Sequence, residues 1–126
     1  MFIVFIVLLQ TLPSAGASRL LLYSDDDARR FLGCFSCSKY EADSVHNEYG
    51  QYGSRYSIHS IWNKYGSYGS PYSTYSACNP YATRPPVVLD EEWAFYGRLT
   101  LNSYHPQALK ETSIVNWLRF VVCGGS

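Results

Sequence analysis

The sequence predicts a small, disulfide-stapled α+β fold that consists mainly of β-strands and turns. Three observations predict it: a sixteen-residue Tyr/Gly/Ser motif that occurs three times, two similar segments that flank it, and four cysteines in a short chain. We expect two hairpins to form one antiparallel sheet, with the turn repeats between them and a short helix near the C-terminus. The 126 residues suffice for one domain.

Residues 1–17 have the pattern of a secretory signal peptide. Positions 2–9 are wholly apolar, Pro13 follows them, and 15–17 read Ala-Gly-Ala, the small residues that signal peptidase accepts. An uncleaved membrane anchor is the alternative, but the apolar run is far shorter than the ~20 residues of a spanning helix. We therefore predict one mature domain, 18–126, that is secreted or periplasmic and has no stable membrane span.

The cysteines are Cys34, Cys37, Cys78 and Cys123, and in an exported chain an even number predicts two disulfides. A redox site or a zinc site would also use Cys-x-x-Cys, but here that pair reads as part of a strand and the other two cysteines are single. Residues three apart on a strand point to opposite faces. We therefore expect Cys34 and Cys37 to pair with Cys78 and Cys123 rather than with each other.

Charge excludes one class of partner. Ten basic residues balance ten acidic ones, and a chain without a basic surplus gains little from neutralising phosphates, so we expect no nucleic acid partner. The acidic clusters at 25–27 and 90–92 are predicted to be solvated hairpin turns.

The repeats cover 38–53, 54–69 and 70–85, and four of the five columns that are the same in all three copies define the pattern. Those four columns are Tyr40/Tyr56/Tyr72, Ser44/Ser60/Ser76, Asn47/Asn63/Asn79 and Tyr49/Tyr65/Tyr81. The serines suit the cap of a single helical turn, and the asparagines suit hydrogen bonds to nearby backbone groups. Gly50 and Gly66 are predicted to end that turn at positive φ.

The flanking segments predict the hairpins, at 19–37 and 86–102. "RFLGCFSCSKY" and "AFYGRLTLNSY" match at an offset of 64 residues, and each follows an apolar strand and an acidic turn. Gly33 and Gly97 are expected where the backbone bulges or approaches a neighbour closely. Apolar residues at roughly helical spacing predict a helix over 106–122, held by Cys123.

Together "FLGCFSC", the tandem S-V/I-x-N-x-Y-G-x-Y-G-S motif, "YSACNPYAT" and "FYGRLTLN" resemble a family of small exported bacterial proteins with no characterised activity. The likeness is close over 31–104. It implies an exported repeat protein and supplies no catalytic residue. Glu48 and Lys64 stand where the family often has proline after the asparagine, and the second hairpin lacks its usual turn glycine.

No motif indicates catalysis, a cofactor or a metal. The sequence has no serine-nucleophile elbow, phosphate loop, dinucleotide fingerprint or calcium loop. The histidines His46 and His59 share repeat columns with residues of unrelated chemistry, which favours packing or turn positions over a reaction centre.

Two classes of function remain. The first is a non-enzymatic structural or binding module whose aromatic and polar surface meets a protein or glycan partner, in an unspecified oligomeric state. Its contact candidates are Tyr49, Tyr52, Tyr65, Tyr68 and Trp62, although these rings would also suit a core that is short of aliphatic residues. The alternatives are a small secreted hydrolase, or an inhibitor or immunity protein for an exported enzyme.

Overall fold

The computed structural model describes residues 18–124, so the predicted signal peptide lies outside the described residues. Its strands are β1 (Leu20–Tyr23), β2 (Phe31–Cys34), β3 (Val87–Asp90) and β4 (Phe95–Arg98). They form one antiparallel sheet in the order β2-β1-β3-β4, because the two hairpins join along β1 and β3. The predicted sheet of two hairpins is confirmed.

Each hairpin contains a bulge next to a glycine. Leu22 pairs with Gly33 and Tyr23 with Phe31, which leaves Leu32 as the extra residue of β2; Tyr96 is the extra residue of β4. Gly33 has φ of 116° and Gly97 has φ of 140°. A side chain at Gly33 would also place its Cβ 2.7 Å from Cβ of Tyr52. Glycine is required at these bulges because other residues rarely adopt such φ values.

Between the hairpins the chain advances by short turns. From Ser38 to Gly53, each third backbone N–H donates to the carbonyl three residues earlier, and similar bonds recur at 57–66, 73–76 and 79–82. These are isolated turns rather than the helical turn that the sequence predicts. A longer helix does not form because Ser and Asn side chains compete for the backbone groups.

The core lies between the sheet, the turns and the C-terminal helix. Its fully buried side chains include Leu22, Leu32 and Val88 from the sheet, Val45, Ile61 and Ala77 from the turns, and Leu99, Leu118 and Val122 from the later chain. Val45, Ile61 and Ala77 occupy the same column of the sixteen-residue pattern. These three apolar side chains therefore anchor the turns to the sheet.

The C-terminal helix is shorter than the predicted 106–122. Helix α1 covers Thr112–Asn116 and continues as a π-helical segment, Trp117–Val122. The prediction is wrong for 106–111 because β4 takes the backbone groups there: Arg98 N–H donates to Gln107 O at 2.8 Å, and Leu109 N–H donates to Arg98 O at 2.9 Å. Leu118 and Val122 bury the helical segment against the core.

All four cysteines form disulfides, but the expected pairing is wrong. The bonds are Cys34–Cys37 and Cys78–Cys123. Strand β2 ends at Cys34, and the N–H groups of Phe35 and Ser36 both turn toward Leu20 O. The alternation of a strand therefore does not reach Cys37, whose Cα lies 5.5 Å from that of Cys34, within bonding range.

Gly50 and Gly66, the first glycines of the two Tyr-Gly-x-Tyr-Gly stretches, do not have the predicted positive φ. Among residues 18–124, the glycines with positive φ are Gly33 and Gly97. The steric demand is greater at the second glycine, although a Cβ at Gly50 would also lie 2.9 Å from the carbonyl oxygen of Ala42. A Cβ at Gly69 would overlap the carbonyl oxygen of Asn63, whereas one at Gly66 would reach its nearest atom at an ordinary 3.4 Å. Close approach of the backbone explains the later glycine.

One aspartate in each acidic cluster, Asp26 or Asp90, organises its hairpin turn, whereas Asp27 is exposed. Asp26 accepts hydrogen bonds from Tyr68 OH at 2.6 Å and from Ser24. Burial acts to raise the pKa of Asp26, but these hydrogen bonds outweigh it and hold the pKa below its ordinary value. In the second hairpin, the N–H of Ala94 and other donors lower the pKa of Asp90. Both carboxylates therefore act as turn acceptors.

Candidate binding surface

Seven of the twelve tyrosines stand almost fully in solvent. Their exposed fractions run from 83% to 93%, and they are Tyr40, Tyr49, Tyr56, Tyr65, Tyr72, Tyr81 and Tyr104. We call this set the tyrosine surface. Single exposed apolar residues are common, but seven large rings at this exposure add nothing to a core.

The same local bond presents each of these rings. Every one follows a Ser or Asn by two residues, and the tyrosine N–H donates to that side-chain oxygen at 2.9–3.2 Å. Such turns fix the backbone of the tyrosine without using its ring. The turn therefore fixes the backbone from which each exposed ring projects.

Hydrogen bonds from asparagine and serine side chains support the turns. Asn47, Asn63 and Asn79 each donate a second bond, from Nδ2 to the carbonyl six residues earlier, at 2.9–3.1 Å. In addition, the side chains of Ser44, Ser60 and Ser76 are wholly buried, and each accepts the N–H two residues later at 2.9–3.0 Å. These bonds satisfy backbone groups that no sheet or helix pairs. The support of the surface is consequently polar and well defined.

The predicted contact residues divide between surface and core. Tyr49 and Tyr65 belong to the tyrosine surface. Tyr52 is half-buried with its ring 5.0 Å from that of Phe31, and Trp62 is half-buried while its Nε1 donates to Val45 O at 2.7 Å. Tyr68 is 5% exposed, and its hydroxyl is committed to Asp26. Tyr68 is therefore a core residue, which corrects its assignment as a contact.

Five members of the tyrosine surface were missed as contact candidates by the sequence reasoning: Tyr40, Tyr56, Tyr72, Tyr81 and Tyr104. The signal that they share is the tripeptide Ser/Asn-x-Tyr, which occurs at each exposed ring. It also occurs at Tyr75, whose N–H donates to Ser73 Oγ at 3.1 Å although its ring is half-buried against the core. Tyr52 and Tyr68 lack the tripeptide because Gln51 and Ser67 are preceded by glycine. The Tyr-Gly-x-Tyr-Gly stretch thus places its first ring outside and its second ring inside.

Two adjoining grooves run beneath the exposed rings. Groove A, of about 910 Å³, is lined by Tyr40, Tyr49 and Tyr56 among others. Groove B, of about 610 Å³, is lined by Tyr56, Tyr65 and residues of the C-terminal segment. Arg55, Tyr56 and Trp62 line both. Both volumes fall in the range of ligand sites, ~300–1,000 Å³.

The charge of the two grooves differs. Groove B has Arg55, Lys64 and Arg119 in its lining and no acidic residue. In groove A, Lys39 and Arg55 are accompanied by Glu48. The Arg55 guanidinium lies 5.4 Å from the centre of the Trp62 ring, a cation–π contact that fixes both groups. Groove B is therefore the more electropositive part of the surface.

The histidines are engaged in local packing. His46 Nε2 donates to Phe35 O at 3.0 Å, and its ring lies 5.2 Å from that of Trp117. His105 Nε2 donates to Thr83 O at 3.1 Å while its Nδ1 accepts the N–H of Gln107. His59 has a buried Nδ1 without a hydrogen-bond partner. None of the described grooves gathers His46, His59 and an acid.

Within residues 18–124, one group has the spacing of metal ligands: Cys37, Glu41 and Asp43, whose ligand atoms lie within 4.8 Å of one another. The Cys37 sulfur is already in a disulfide, and Arg19 Nη1 lies 3.0 Å from the Asp43 carboxylate and 4.0 Å from that of Glu41. A guanidinium thus occupies the position that a cation would take.

No family model, curated protein or solved structure matches this chain. In the part of the chain that the structure describes, no helix has the length and apolar character needed to cross a bilayer. The site must therefore be interpreted from its own chemistry.

Proposed function

We propose that this chain is an exported, non-enzymatic binding module that presents the tyrosine surface to a protein or glycan partner. The observation that carries the proposal is the exposure of seven rings at 83–93%, each set by the same bond to a Ser or Asn side chain. Tyrosine suits this role because its ring is large, rigid and amphipathic, so little conformational entropy is lost on contact.

Export is supported by the cysteines as well as by the predicted signal. Both pairs are disulfides, and disulfides persist in oxidising compartments outside the cytoplasm. Cys78–Cys123 joins the turns at 73–82 to the residue that follows the π-helical segment, and Cys78, Val122 and Cys123 all line groove B. A covalently braced surface is suited to work outside the cell.

The test measures saturable binding of the labelled protein to isolated envelopes of the producing cells. A triple variant, Tyr49→Ser, Tyr65→Ser and Tyr81→Ser, removes three exposed rings from equivalent turn positions. We expect it to bind at least about tenfold more weakly, because several stacked or buried rings carry most of the energy of such contacts.

The matched control is Tyr96→Ser with Phe120→Ser, which removes two exposed rings that lie outside the turns, at 52% and 67% exposure. We expect envelope binding within about twofold of the unmodified protein. Equal binding by the triple variant, at an unchanged melting midpoint, would defeat the proposal.

A further inference from the structure

Groove B brings together two cations from distant parts of the chain. Lys64 lies in a turn directly before Tyr65, and Arg119 lies on the π-helical segment, yet both line this groove with Tyr56, Tyr65 and Trp62. Both side chains are exposed, and within residues 18–124 neither forms an ion pair. Their positive charge is therefore available to a ligand.

We infer that groove B binds an anionic glycan, a chain of sugar rings that carry carboxylates. This inference rests on the proposed binding function and names the ligand class of the same surface. Lys64 and Arg119 pair with the carboxylates, and Tyr56 and Tyr65 receive the flat faces of the sugar rings. Arginine in particular matches a carboxylate through two parallel hydrogen bonds.

The form of the aromatic surface favours a sugar over a peptide. Tyr56 is 90% exposed and Tyr65 is 89% exposed, so both rings offer open faces rather than walls of a closed pocket. The negative face of an aromatic ring attracts the C–H groups of a sugar, whereas peptide contacts draw their energy from enclosed, desolvated pockets.

The dimensions favour an extended ligand. Groove A continues from groove B through the shared residues Arg55, Tyr56 and Trp62, and Tyr40 and Tyr49 line its further part. A glycan chain of several units therefore meets further rings beyond the one that it contacts first. The zero net charge argues against nucleic acid, whose binding draws on a basic surplus that neutralises phosphates.

The experiment is isothermal titration of the full mature chain with a galacturonic acid hexamer and with its methyl ester, which keeps the rings and removes the charge. We expect the ester to bind about tenfold more weakly, since two charge-assisted contacts are lost. Equal affinity for acid and ester, or no binding of the acid by the unmodified protein, would overturn the inference.

The variant Lys64→Ala with Arg119→Ala is expected to weaken hexamer binding about tenfold, and Tyr65→Ala about fivefold. Lys110→Ala removes a cation outside both grooves and is expected to change binding by less than about twofold. The charge-conserving Arg119→Lys is expected to weaken hexamer binding more than Lys110→Ala and less than the double variant. A loss with Lys110→Ala equal to that of the double variant would show unspecific attraction and reject the site.

Polyglutamate and oligo-thymidine test the other polyanions. Tighter binding of either than of the hexamer assigns the groove to an acidic peptide or to single-stranded nucleic acid and overturns the inference. Absence of hexamer binding is distinguishable from failure of the proposed function. If the tyrosine triple variant loses envelope binding while the hexamer does not bind, the tyrosine surface is still a binding surface and only its ligand class is wrong.

Discussion

The two hairpins, each with the turns that follow it, use the same backbone bonds with different side chains. The first unit is β1 and β2 with residues 38–45, and the second is β3 and β4 with 102–109. Cys34 N–H donates to Asp43 O and Val45 N–H to Cys34 O, while 64 residues later Arg98 N–H donates to Gln107 O and Leu109 N–H to Arg98 O. Both units thus fold the turn segment back against the second strand.

The difference lies in how each unit is closed at that strand. In the first unit, Cys34 forms a disulfide with Cys37. In the second, Arg98 occupies the corresponding position and donates to Gln107 Oε1 at 2.7 Å and to Asp25 Oδ2 at 2.9 Å. A covalent bond and a set of charge-assisted hydrogen bonds therefore support the same backbone path. Both units share the bulge glycine and the turn bonds, whereas the side chains that close them differ.

The largest expected effect is on the free energy of unfolding, to which the two disulfides should contribute unequally. Cys78→Ala with Cys123→Ala opens a link between residues 45 apart and should lower the free energy of unfolding by about 4 kcal/mol in the chain-entropy account. Cys34→Ala with Cys37→Ala opens a link of separation 3 and should cost about 1.5 kcal/mol. Chemical denaturation measures both. Equal losses would show that closure of the first unit matters more than its loop length implies.

The bulge glycines provide the next comparison. Gly33→Ala should cost about 3 kcal/mol, because positive φ is combined with a collision against Cβ of Tyr52, an atom fixed close to its backbone. Gly97→Ala should cost about 1.5 kcal/mol, since its nearest neighbour is the movable end of Leu109. Thermal melting of both variants measures the difference. A larger cost at Gly97 would show that the bulge of the second unit is more closely packed than that of the first.

The acidic turns of the two units predict a dependence on pH. Asp26 and Asp90 both have pKa values below the ordinary value, so in acid the unfolded chain binds more protons than the folded one. Their stabilisation is fully present above about pH 5 and is lost as the pH falls through the lower folded-state pKa values. Denaturation midpoints measured between about pH 2 and pH 7 should therefore rise with pH and then level off.

Tyr68→Phe should weaken the Asp26 turn by about 1 kcal/mol at neutral pH, and less in acid, where the carboxylate is protonated. Tyr96→Phe should have a smaller effect because that hydroxyl lies on a half-exposed ring. Tyr72→Phe is the control, since its ring is 89% exposed. If Tyr68→Phe lowered the free energy of unfolding by the same amount at every pH, its effect would not depend on the charge of Asp26.

The smallest effect is expected at the exposed rings themselves. Tyr40→Ser in the first unit and Tyr104→Ser in the second remove side chains that are 84% and 93% exposed. Each should change the free energy of unfolding by less than about 0.5 kcal/mol. A loss above about 2 kcal/mol at either position would show that the ring is packed in solution and would remove it from the tyrosine surface.

Sequence reasoning predicted the elements that depend on local patterns. The paired hairpins followed from two apolar strands with acidic turns, and the bulge positions of Gly33 and Gly97 followed from their place inside strands. The start of the helix was wrong because the apolar spacing of Ala108 and Leu109 fits a helix as well as a segment paired with β4. Periodicity does not reveal which backbone groups a neighbouring strand will take.

For the candidate surface, sequence reasoning found the residue type and not the individual rings. Tyr49 and Tyr65 were predicted as contacts together with Tyr68, although Tyr68 lies in the core. The distinction depends on Asp26, a hydrogen-bond partner 42 residues away, and no local pattern contains it. Groove B was also absent from the predictions, since Lys64 and Arg119 meet only after the helical segment packs against the turns.

By itself, the sequence determined where the chain turns, because a Ser or Asn side chain fixes the local backbone two residues later whatever surrounds it. Tertiary structure alone decided the disulfide pairing, the start of the helix and the meeting of cations in groove B. Those features depend on contacts between distant residues, whose free energies are set by packing and not by neighbours in the chain.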